Sequence, residues 1–266
     1  MSSLTFLLPV LVSMMIGAIG GTDYCALQAT LCEWNVKQEH IGCNPETSFG
    51  PACGSDREFF ELDPSMQQAI VSKHNQLRSQ IATGSLPGFP PAVRMGTMVW
   101  DDELALLASY LARTCIFKHD DCRNTERFDA AGQNLRIASQ SVGNTSEIVG
   151  MMEDGIQSWF DEYKITPIQY INSYPENYNG PHIGHFTQIV ADRANRVGCA
   201  IVRFFEAPWH NFLFVCDYSV SNILSEPIYR SGPMASECTT GENPNYPGLC
   251  NEGEEIKPTF YYNYRK

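Results

Sequence analysis

The ten cysteines of the chain all lie after residue 21, between Cys25 and Cys250. An even number of cysteines in an exported chain predicts a framework of disulfide bonds. A zinc cluster is the alternative, but structural zinc sites favour closely spaced Cys-x-x-Cys pairs, and the sequence contains none. The cysteines therefore indicate a fold that is stapled by disulfides.

The N-terminal segment, residues 1–21, predicts export. It carries no charge, has an apolar run over residues 4–12, and ends in small residues of the kind that a signal peptidase requires. A membrane anchor is the alternative, but a bilayer span needs about 20 apolar residues, and this run is interrupted at Ser13. We therefore expect residues 1–21 to be a cleaved signal peptide and the mature chain to be secreted, extracellular and without a membrane span.

The charge of the chain limits its partners. The formal net charge is −12, and the N-terminal segment contributes none of it. Nucleic acids and anionic lipid headgroups both require clustered Lys and Arg side chains. Neither is therefore expected to bind this protein.

The sequence after the signal peptide divides into three regions. Residues 22–62 hold four cysteines and little periodicity, which predicts a loop-rich, disulfide-stapled extension. Residues 63–222 carry strong periodic patterns and form the main domain, and residues 223–266 form a polar extension with Cys238 and Cys250. The sequon at Asn144 lies in a polar stretch of the main domain and predicts an N-glycan on a surface loop.

Periodic patterns in the main domain predict alternating helices and strands. Asp63-Pro64 is a typical helix start, and a second helix is predicted to begin at Asp101. The first helix should present one apolar face, made of Ile70, His74, Leu77 and Ile81. A third helix begins near residue 146, a strand covers residues 133–138, and residues 197–203 and 212–218 form an antiparallel pair. Few strands among several helices predict an α+β fold, a three-layer α-β-α sandwich.

Two motifs around the paired strands resemble a known family. Gly184-His185-Phe186-Thr187-Gln188 precedes the pair, and the second strand ends in Cys216-Asp217-Tyr218. Together they resemble the signatures of the CAP superfamily, which includes cysteine-rich secretory proteins, insect venom antigen 5 and plant pathogenesis-related proteins. The cysteines between Cys25 and Cys53 are similar to the N-terminal extension of the insect antigen 5 proteins.

The resemblance implies a disulfide pairing. By similarity to antigen 5, the expected bridges are Cys25–Cys43, Cys32–Cys122, Cys53–Cys115 and Cys199–Cys216, with Cys238–Cys250 as the remaining pair. The second and third of these bridges would fasten the N-terminal extension to the segment that follows the second helix.

The resemblance also implies a cleft lined by two histidines and two acids. By motif similarity these positions are His74, Glu162, His185 and, in the Gly-Glu-Asn motif of the family, Gln133. Because Gln cannot ionise, the cleft loses one negative charge, and Gln133→Glu is expected to strengthen any cation binding. His119 lies in a polar context and is expected to be solvated.

The chemistry of the cleft leaves alternatives open. Two imidazoles and a carboxylate can hold Zn²⁺, with His74 and His185 as ligands, although no cofactor is required by the sequence. The plainer alternative is that His74 is buried and hydrogen-bonded to Glu162 or to a backbone carbonyl. No Gly-x-Ser-x-Gly or His-Glu-x-x-His motif is present, and the cysteines are expected to be in disulfides, so no residue is assigned as catalytic.

Three functions therefore remain. The leading hypothesis is a secreted, non-enzymatic protein that binds a small amphipathic ligand, such as a lipid, sterol or amine, or an extracellular protein. The alternatives are a metal-dependent hydrolase or protease that uses His74, His185 and Glu162, and a structural component of a secretion such as saliva or seminal fluid.

Overall fold

The computed structural model describes residues 22–32 and 38–256, so the predicted signal peptide lies outside the described residues. The helices are α1 (Tyr24–Leu31), α2 (Pro64–Ala82), α3 (Asp102–Ala112), α4 (Ile148–Phe160), α5 (Gln169–Asn172) and α6 (Gly184–Val190). The strands are β1 (Arg57–Phe60), β2 (Met95–Gly96), β3 (Val99–Trp100), β4 (Gly132–Gln140), β5 (Arg196–Glu206), β6 (Trp209–Tyr218) and β7 (Leu249–Cys250). Among the described helices, none has the length and apolar character needed to cross a membrane.

The main sheet is built on the predicted strand pair. β5 and β6 are antiparallel, with Cys199 directly opposite Cys216, and the strand order is β1-β5-β6-β4. β3 adds a short parallel pairing to β5. β1 comes from the region that was expected to be loop-rich, and it pairs antiparallel with β5 from Arg57 opposite Phe204 onward. The extension therefore contributes to the sheet as well as to the disulfide framework.

The two faces of the sheet bury two different cores. On one face, Cys199 and Ile201 of β5 pack in the core that contains the apolar residues of α2, α4 and α6. On the other face, Ala200 and Val202 pack with Ala108 of α3. Because successive side chains of a strand point to opposite faces, one strand serves both cores. The predicted three-layer α-β-α sandwich is confirmed.

The predicted helix starts are confirmed by their capping contacts. One carboxylate oxygen of Asp63 accepts hydrogen bonds from the backbone N–H groups of Ser65 and Met66, at 2.8 and 2.9 Å. Asp101 accepts in the same way from Glu103 and Leu104 at 3.1 Å. Such caps satisfy backbone donors that have no partner within the helix. The predicted apolar face of α2 is buried, and its members are Ile70, His74, Leu77 and Ile81.

Gly198 allows α3 to lie directly on the sheet. A Cβ atom at this position of β5 would collide with the backbone of Asp101 and Ala105 at the start of α3. Glycine is the residue that permits such a close approach of two backbones.

A buried arginine fixes the C-terminal end of α6. Arg78 of α2 has no exposed surface and donates hydrogen bonds to the carbonyl oxygens of Ile189 and Ala191, at 2.6 and 2.9 Å. The same guanidinium donates to the carbonyl of Gly96 at 2.7 Å. A seven-residue helix such as α6 is not stable alone, so its position depends on contacts of this kind. The sequence pattern did not predict this role of Arg78.

The five disulfides are the ones that the resemblance implied: Cys25–Cys43, Cys32–Cys122, Cys53–Cys115, Cys199–Cys216 and Cys238–Cys250. Two of them join the N-terminal extension to residues that follow α3, as predicted. At the other end of the chain, β7 pairs in parallel with β2 and carries Cys250. The N-terminal extension is therefore attached to the central sandwich by two disulfides and by β1, whereas the C-terminal extension is attached through the β2–β7 pairing and has its disulfide within itself.

Candidate functional site

His185 and Glu162 form the centre of the candidate site. Glu162 lies in the 3₁₀ turn Asp161–Ile165 that follows α4, and His185 lies in the first turn of α6. The His185 Nδ1 atom is 2.6 Å from Glu162 Oε1, and Glu162 Oε2 accepts from the backbone N–H groups of His185 and Phe186, each at 3.0 Å. The carboxylate thus satisfies two free N–H groups at the start of α6 and orients the imidazole.

The His185 ring is also held by an aromatic stack. It lies parallel to Trp159 of α4, with 6.0 Å between ring centroids, and Trp159 stacks in turn on Phe214 of β6. The Trp159 indole N–H donates to the carbonyl of Leu135 at 3.2 Å. The His185 side chain is 27% exposed and Glu162 is 14% exposed. The imidazole is therefore fixed in orientation while one edge still reaches solvent.

The expectation that His74 lines this cleft is wrong. His74 is fully buried, its Nδ1 atom lies 2.8 Å from the carbonyl oxygen of Ile70, and its Nε2 atom lies 2.9 Å from the Tyr218 hydroxyl. A carbonyl can only accept, so Nδ1 donates to it and Nε2 accepts from the tyrosine. Burial lowers the pKa of His74 to about 4, so the ring is neutral at physiological pH. The plainer alternative, a buried histidine bonded to a backbone carbonyl, describes this residue.

His74 nevertheless connects to the site through two other side chains. The amide nitrogen of Asn134 donates to the Tyr218 hydroxyl at 3.3 Å and to the carbonyl of His185 at 3.2 Å. The series His74, Tyr218, Asn134 and His185 links α2 to β6, β4 and α6. This network has a structural role, because each polar group in it would be costly to leave unpaired.

Gln133 is the centre of a second polar cluster beside the site. Its amide nitrogen donates to Asp120 Oδ2 at 2.7 Å and to Asp217 Oδ1 at 2.9 Å. Its amide oxygen lies 2.7 Å from His119 Nδ1, which must therefore be the donor. The three contacts together need both a donor and an acceptor on one side chain, which an amide provides. Glutamine at this position is thus matched to two neighbouring carboxyl groups, which the sequence pattern did not reveal.

Asp217 is the buried acid of this cluster. It has no exposed surface, and the pKa of its carboxyl is raised well above its usual range, first by burial and then by the nearby charge of Asp120. Arg123 opposes this shift, and its Nη2 atom lies 2.9 Å from Asp120 Oδ1. The carboxyl of Asp217 is therefore held towards its neutral form, and the charge of Asp120 is paired with Arg123.

His119 takes the place beside the cleft that was predicted for His74. It has exposed surface, as expected, but its Nδ1 atom is fixed by Gln133. Its pKa is lowered, mainly by partial burial, and a smaller contribution comes from His185. The position of His119 between Cys115 and Cys122, both in disulfides, was the signal in the sequence that this residue is held in place.

The predicted zinc ligands do not fit a zinc site. Structural and catalytic zinc ions take three or more protein ligands. In the described part of the chain, one set of three His, Cys, Asp or Glu donor atoms lies within 4.8 Å of one another, namely Cys32, His40 and Cys122. Its two sulfurs are joined in a disulfide and are not thiolates, and both ring nitrogens of His40 are hydrogen-bonded, to Asn124 and Gly42. His74 is excluded by its own two hydrogen bonds.

The arrangement therefore presents two oriented imidazoles to solvent. In both His119 and His185 the Nδ1 atom is occupied, by Gln133 and Glu162 respectively. The Nε2 atoms are then the acceptors of the neutral rings, because each ring carries its proton on Nδ1. Such a surface can accept hydrogen bonds from the N–H or O–H groups of a ligand.

The loop that carries the predicted glycan is on the surface. Asn144 is exposed between β4 and α4, and its side-chain oxygen accepts from the backbone N–H of Ser146 at 3.0 Å. The position is accessible, and the presence of a glycan stays a prediction.

Comparison with known proteins places the chain in a family. The model of the cysteine-rich secretory protein family, CAP, matches residues 71–218. Venom allergen-1 of Aedes aegypti is 45% identical over 90% of this chain and 91% of its own, and Venom allergen-1 of Aedes albopictus is 43% identical over 90% and 91%. The solved structure described as NaASP2 with Zn²⁺ shares the fold, with a TM-score of 0.58 and 24% identity over 71% of this chain and 97% of that one. The chain therefore belongs to the CAP family of cysteine-rich secretory proteins and is a homologue of the venom allergen and antigen 5 proteins.

Proposed function

We propose that this protein is a secreted, non-enzymatic binding protein that holds a small amphipathic ligand. The observation that carries the proposal is the state of Glu162, whose carboxylate accepts from His185 N, Phe186 N and His185 Nδ1. Both oxygens of this carboxylate are therefore engaged by donors on α6. The most plausible acid for hydrolysis in the cleft is thus used to position α6 and His185.

Other contacts support a binding role over a catalytic one. All ten cysteines are in disulfides, so none is a nucleophile. Within the described residues, the hydrogen bonds of His119 and His185 go to Gln133, Glu162 and Asn134, and not to a serine or threonine hydroxyl. Nucleophilic catalysis by a hydroxyl requires such a contact with a base. The alternative, a metal-dependent hydrolase, used His74, His185 and Glu162, and both ring nitrogens of His74 are engaged by Ile70 and Tyr218.

Secretion is part of the proposal. Five disulfides persist in an oxidising compartment. The venom allergens that are similar to this chain align with 90% of it and with 91% of their own length. The uncharged segment at residues 1–21 is the predicted export signal.

The proposal is tested on full-length protein secreted from insect cells. Native mass spectrometry at neutral pH should show protein that carries an additional small-molecule mass, which extraction and mass spectrometry can then identify. Turnover on a panel of peptide and ester substrates should equal that of heat-denatured protein. Turnover that Glu162→Gln abolishes, at an unchanged melting temperature, would establish the hydrolase instead. An unliganded mass, with stable capture of one extracellular protein, would favour a protein partner over a small ligand.

A further inference from the structure

A groove between the N-terminal extension and the segment after α3 has the dimensions of a small-molecule site. Its volume is about 410 Å³, and small-molecule sites usually enclose roughly 300–1,000 Å³. One wall is formed within residues 39–46 and the other within residues 111–121. We call it the extension groove. His119 and Asp120, which border the cleft, also line the groove, but Gln133, Glu162 and His185 do not, so the groove adjoins the cleft without coinciding with it.

The walls of the extension groove are fixed before any ligand binds. The Cys25–Cys43 disulfide holds the first wall, and the Cys32–Cys122 disulfide holds the chain at the edge of the second wall. The backbone N–H of Ile41 also donates to the carbonyl of Cys122 at 2.9 Å, across the two segments. A preformed groove loses little conformational entropy when it is filled, which favours binding.

The rim of the extension groove is acidic. The carboxylates of Glu39, Glu46, Asp120 and Asp121 line it, against one lysine, Lys118. Arg123 offsets Asp120, with Nη2 2.9 Å from Asp120 Oδ1, but the other three carboxylates still outnumber the single lysine. The two histidines of the groove have lowered pKa values, mainly because of burial, and add no positive charge at neutral pH. The groove is complementary to a cation.

The groove also offers apolar surface. Most of it belongs to Ile116, which is 51% exposed, and to the partly buried Ile41, whereas Leu111 is only 4% exposed and adds little. An occupant that covers this surface removes apolar area from water. A bare metal ion would not use it, and no three carboxylate or histidine donors of the groove lie within 4.8 Å of one another in the described structure. The combination therefore favours an organic cation over a metal ion.

We propose that the extension groove binds a compact organic ammonium ion, with its apolar body against Ile116 and Ile41 and its charge beside Glu39, Glu46 and Asp121. This inference rests on the proposed function, because both require a binding protein, and it assigns the chemical class and the place of a ligand. Anionic lipids and carboxylates are excluded from the groove by its charge. The ammonium group needs no aromatic cage, since the carboxylates stabilise it directly.

The test is a calorimetric titration of the full-length secreted protein with three probes of nearly equal size. Phenethylammonium carries the cation, 2-phenylethanol is its neutral analogue, and phenylacetate reverses the charge. We expect phenethylammonium to bind at one site at least about tenfold more tightly than either analogue, and its affinity to fall when NaCl rises from about 50 to about 500 mM, because salt screens the carboxylates.

Variants separate the groove from other acidic surface. The pair Glu46→Gln and Asp121→Asn, combined in one protein, should weaken phenethylammonium binding at least about tenfold while leaving the melting temperature unchanged. Ile116→Ser should weaken the binding of phenethylammonium and 2-phenylethanol in parallel. Asp154→Asn removes one exposed carboxylate from α4, outside the groove, and should change nothing.

Several results would overturn the proposal. The first three are equal affinity for the cation and the alcohol, unchanged phenethylammonium affinity in the double variant, and no binding up to about 10 mM. The fourth is stoichiometric displacement of phenethylammonium by Ca²⁺, which would make the site a metal site. A co-purified ligand that survives the groove variants, without ammonium binding, would contradict the groove and leave the proposed function standing. Hydrolytic turnover would contradict the proposed function, whereas the ammonium titration would still decide whether the groove binds the cation.

Discussion

The amide nitrogen of Gln133 lies 2.9 Å from the buried carboxyl of Asp217, and the same nitrogen donates to Asp120 at 2.7 Å. A carboxylate at position 133 has no N–H to donate to Asp120 and Asp217, and it would add a third acid beside these two. The expectation that Gln133→Glu strengthens cation binding therefore does not agree with the geometry. The substitution should instead destabilise the fold, because two donors are lost and like charges are brought together.

We predict that Gln133→Glu lowers the free energy of unfolding by about 2–4 kcal/mol at pH 7, which corresponds to several degrees in melting temperature. The penalty should be smaller at pH 5. Neighbouring carboxyls raise the pKa of the new glutamate in the folded state, so the folded state holds its proton more tightly, and the variant regains stability as the pH falls. Thermal melts at both pH values check this. Gln68→Glu, an exposed position on α2, is the matched control, and an equal loss in the two variants would refute the role of Gln133.

His74 should make the stability of the protein depend on pH. Burial lowers its pKa from 6.5 to about 4, so between these values the unfolded chain binds a proton that the folded protein does not. Stability is therefore lost as the pH falls from about 6.5 to about 4, and the full effect of this residue is roughly 3 kcal/mol.

The variant His74→Gln isolates this effect, since glutamine does not titrate. We expect it to be less stable than the wild type at pH 7.5, and the difference in melting temperature to shrink towards pH 4.5. Ile81→Val, on the same buried face of α2, should show a difference that stays constant with pH. A constant difference for His74→Gln would mean that the ring is not the group that titrates.

A disulfide that closes a long segment of chain and one that closes a short segment should contribute unequally to stability. Cys53–Cys115 closes a segment with a sequence separation of 62, whereas Cys238–Cys250 closes one of 12. Loop entropy gives a contribution of about 3 kcal/mol for the short loop. The contribution of Cys53–Cys115 should be only moderately larger, because the intact Cys32–Cys122 bridge encloses its loop and already restricts the unfolded chain. Replacing each pair by alanines, with the other four bridges intact, should lower the melting temperature more for the first pair. The reverse order would show that packing around the bridges, and not loop closure, dominates.

The parts of the fold that were predicted depend on local patterns. The face of α2, the caps at Asp63 and Asp101, and the β5–β6 pair can each be read from residues that are close in sequence. The pairing of β1 with β5 joins residues 57 and 204, which are far apart in sequence. Because burial does not alternate along β1, no local pattern predicted this strand. The role of Arg78 was missed for the same reason, because its partners are carbonyl groups of a distant helix.

The site was predicted in part, and the errors have a common cause. Glu162 and His185 were assigned together and are in contact, because each lies in a distinctive motif. His74 was assigned to the cleft by motif similarity, but it shares a helix face with apolar residues, and a buried histidine can satisfy itself on the carbonyl four residues earlier. His119 looked solvated beside Lys118 and Asp120, and its contact with Gln133 exists only in the folded chain.

Removing the carboxylate of Glu162 should separate a structural role from a catalytic one. Glu162→Ala leaves the backbone N–H groups of His185 and Phe186 without their acceptor, and each orphaned donor costs about 1–3 kcal/mol. We therefore expect the melting temperature to fall by several degrees. Glu162→Gln keeps an oxygen for these donors and should recover part of the loss.

Glu153→Ala, on the preceding helix α4, provides the control. Glu153 makes no side-chain hydrogen bond within the described residues, so its removal should change the melting temperature little. The readout beyond stability is the orientation of His185. Without the carboxylate the Nδ1 atom of His185 loses its charged partner. The imidazole resonances at neutral pH should therefore move in Glu162→Ala, and move less in Glu162→Gln, whose amide oxygen can still accept a hydrogen bond. Unchanged resonances together with an unchanged melting temperature would show that the carboxylate does not position α6, and the argument that assigns Glu162 to structure and away from catalysis would fail.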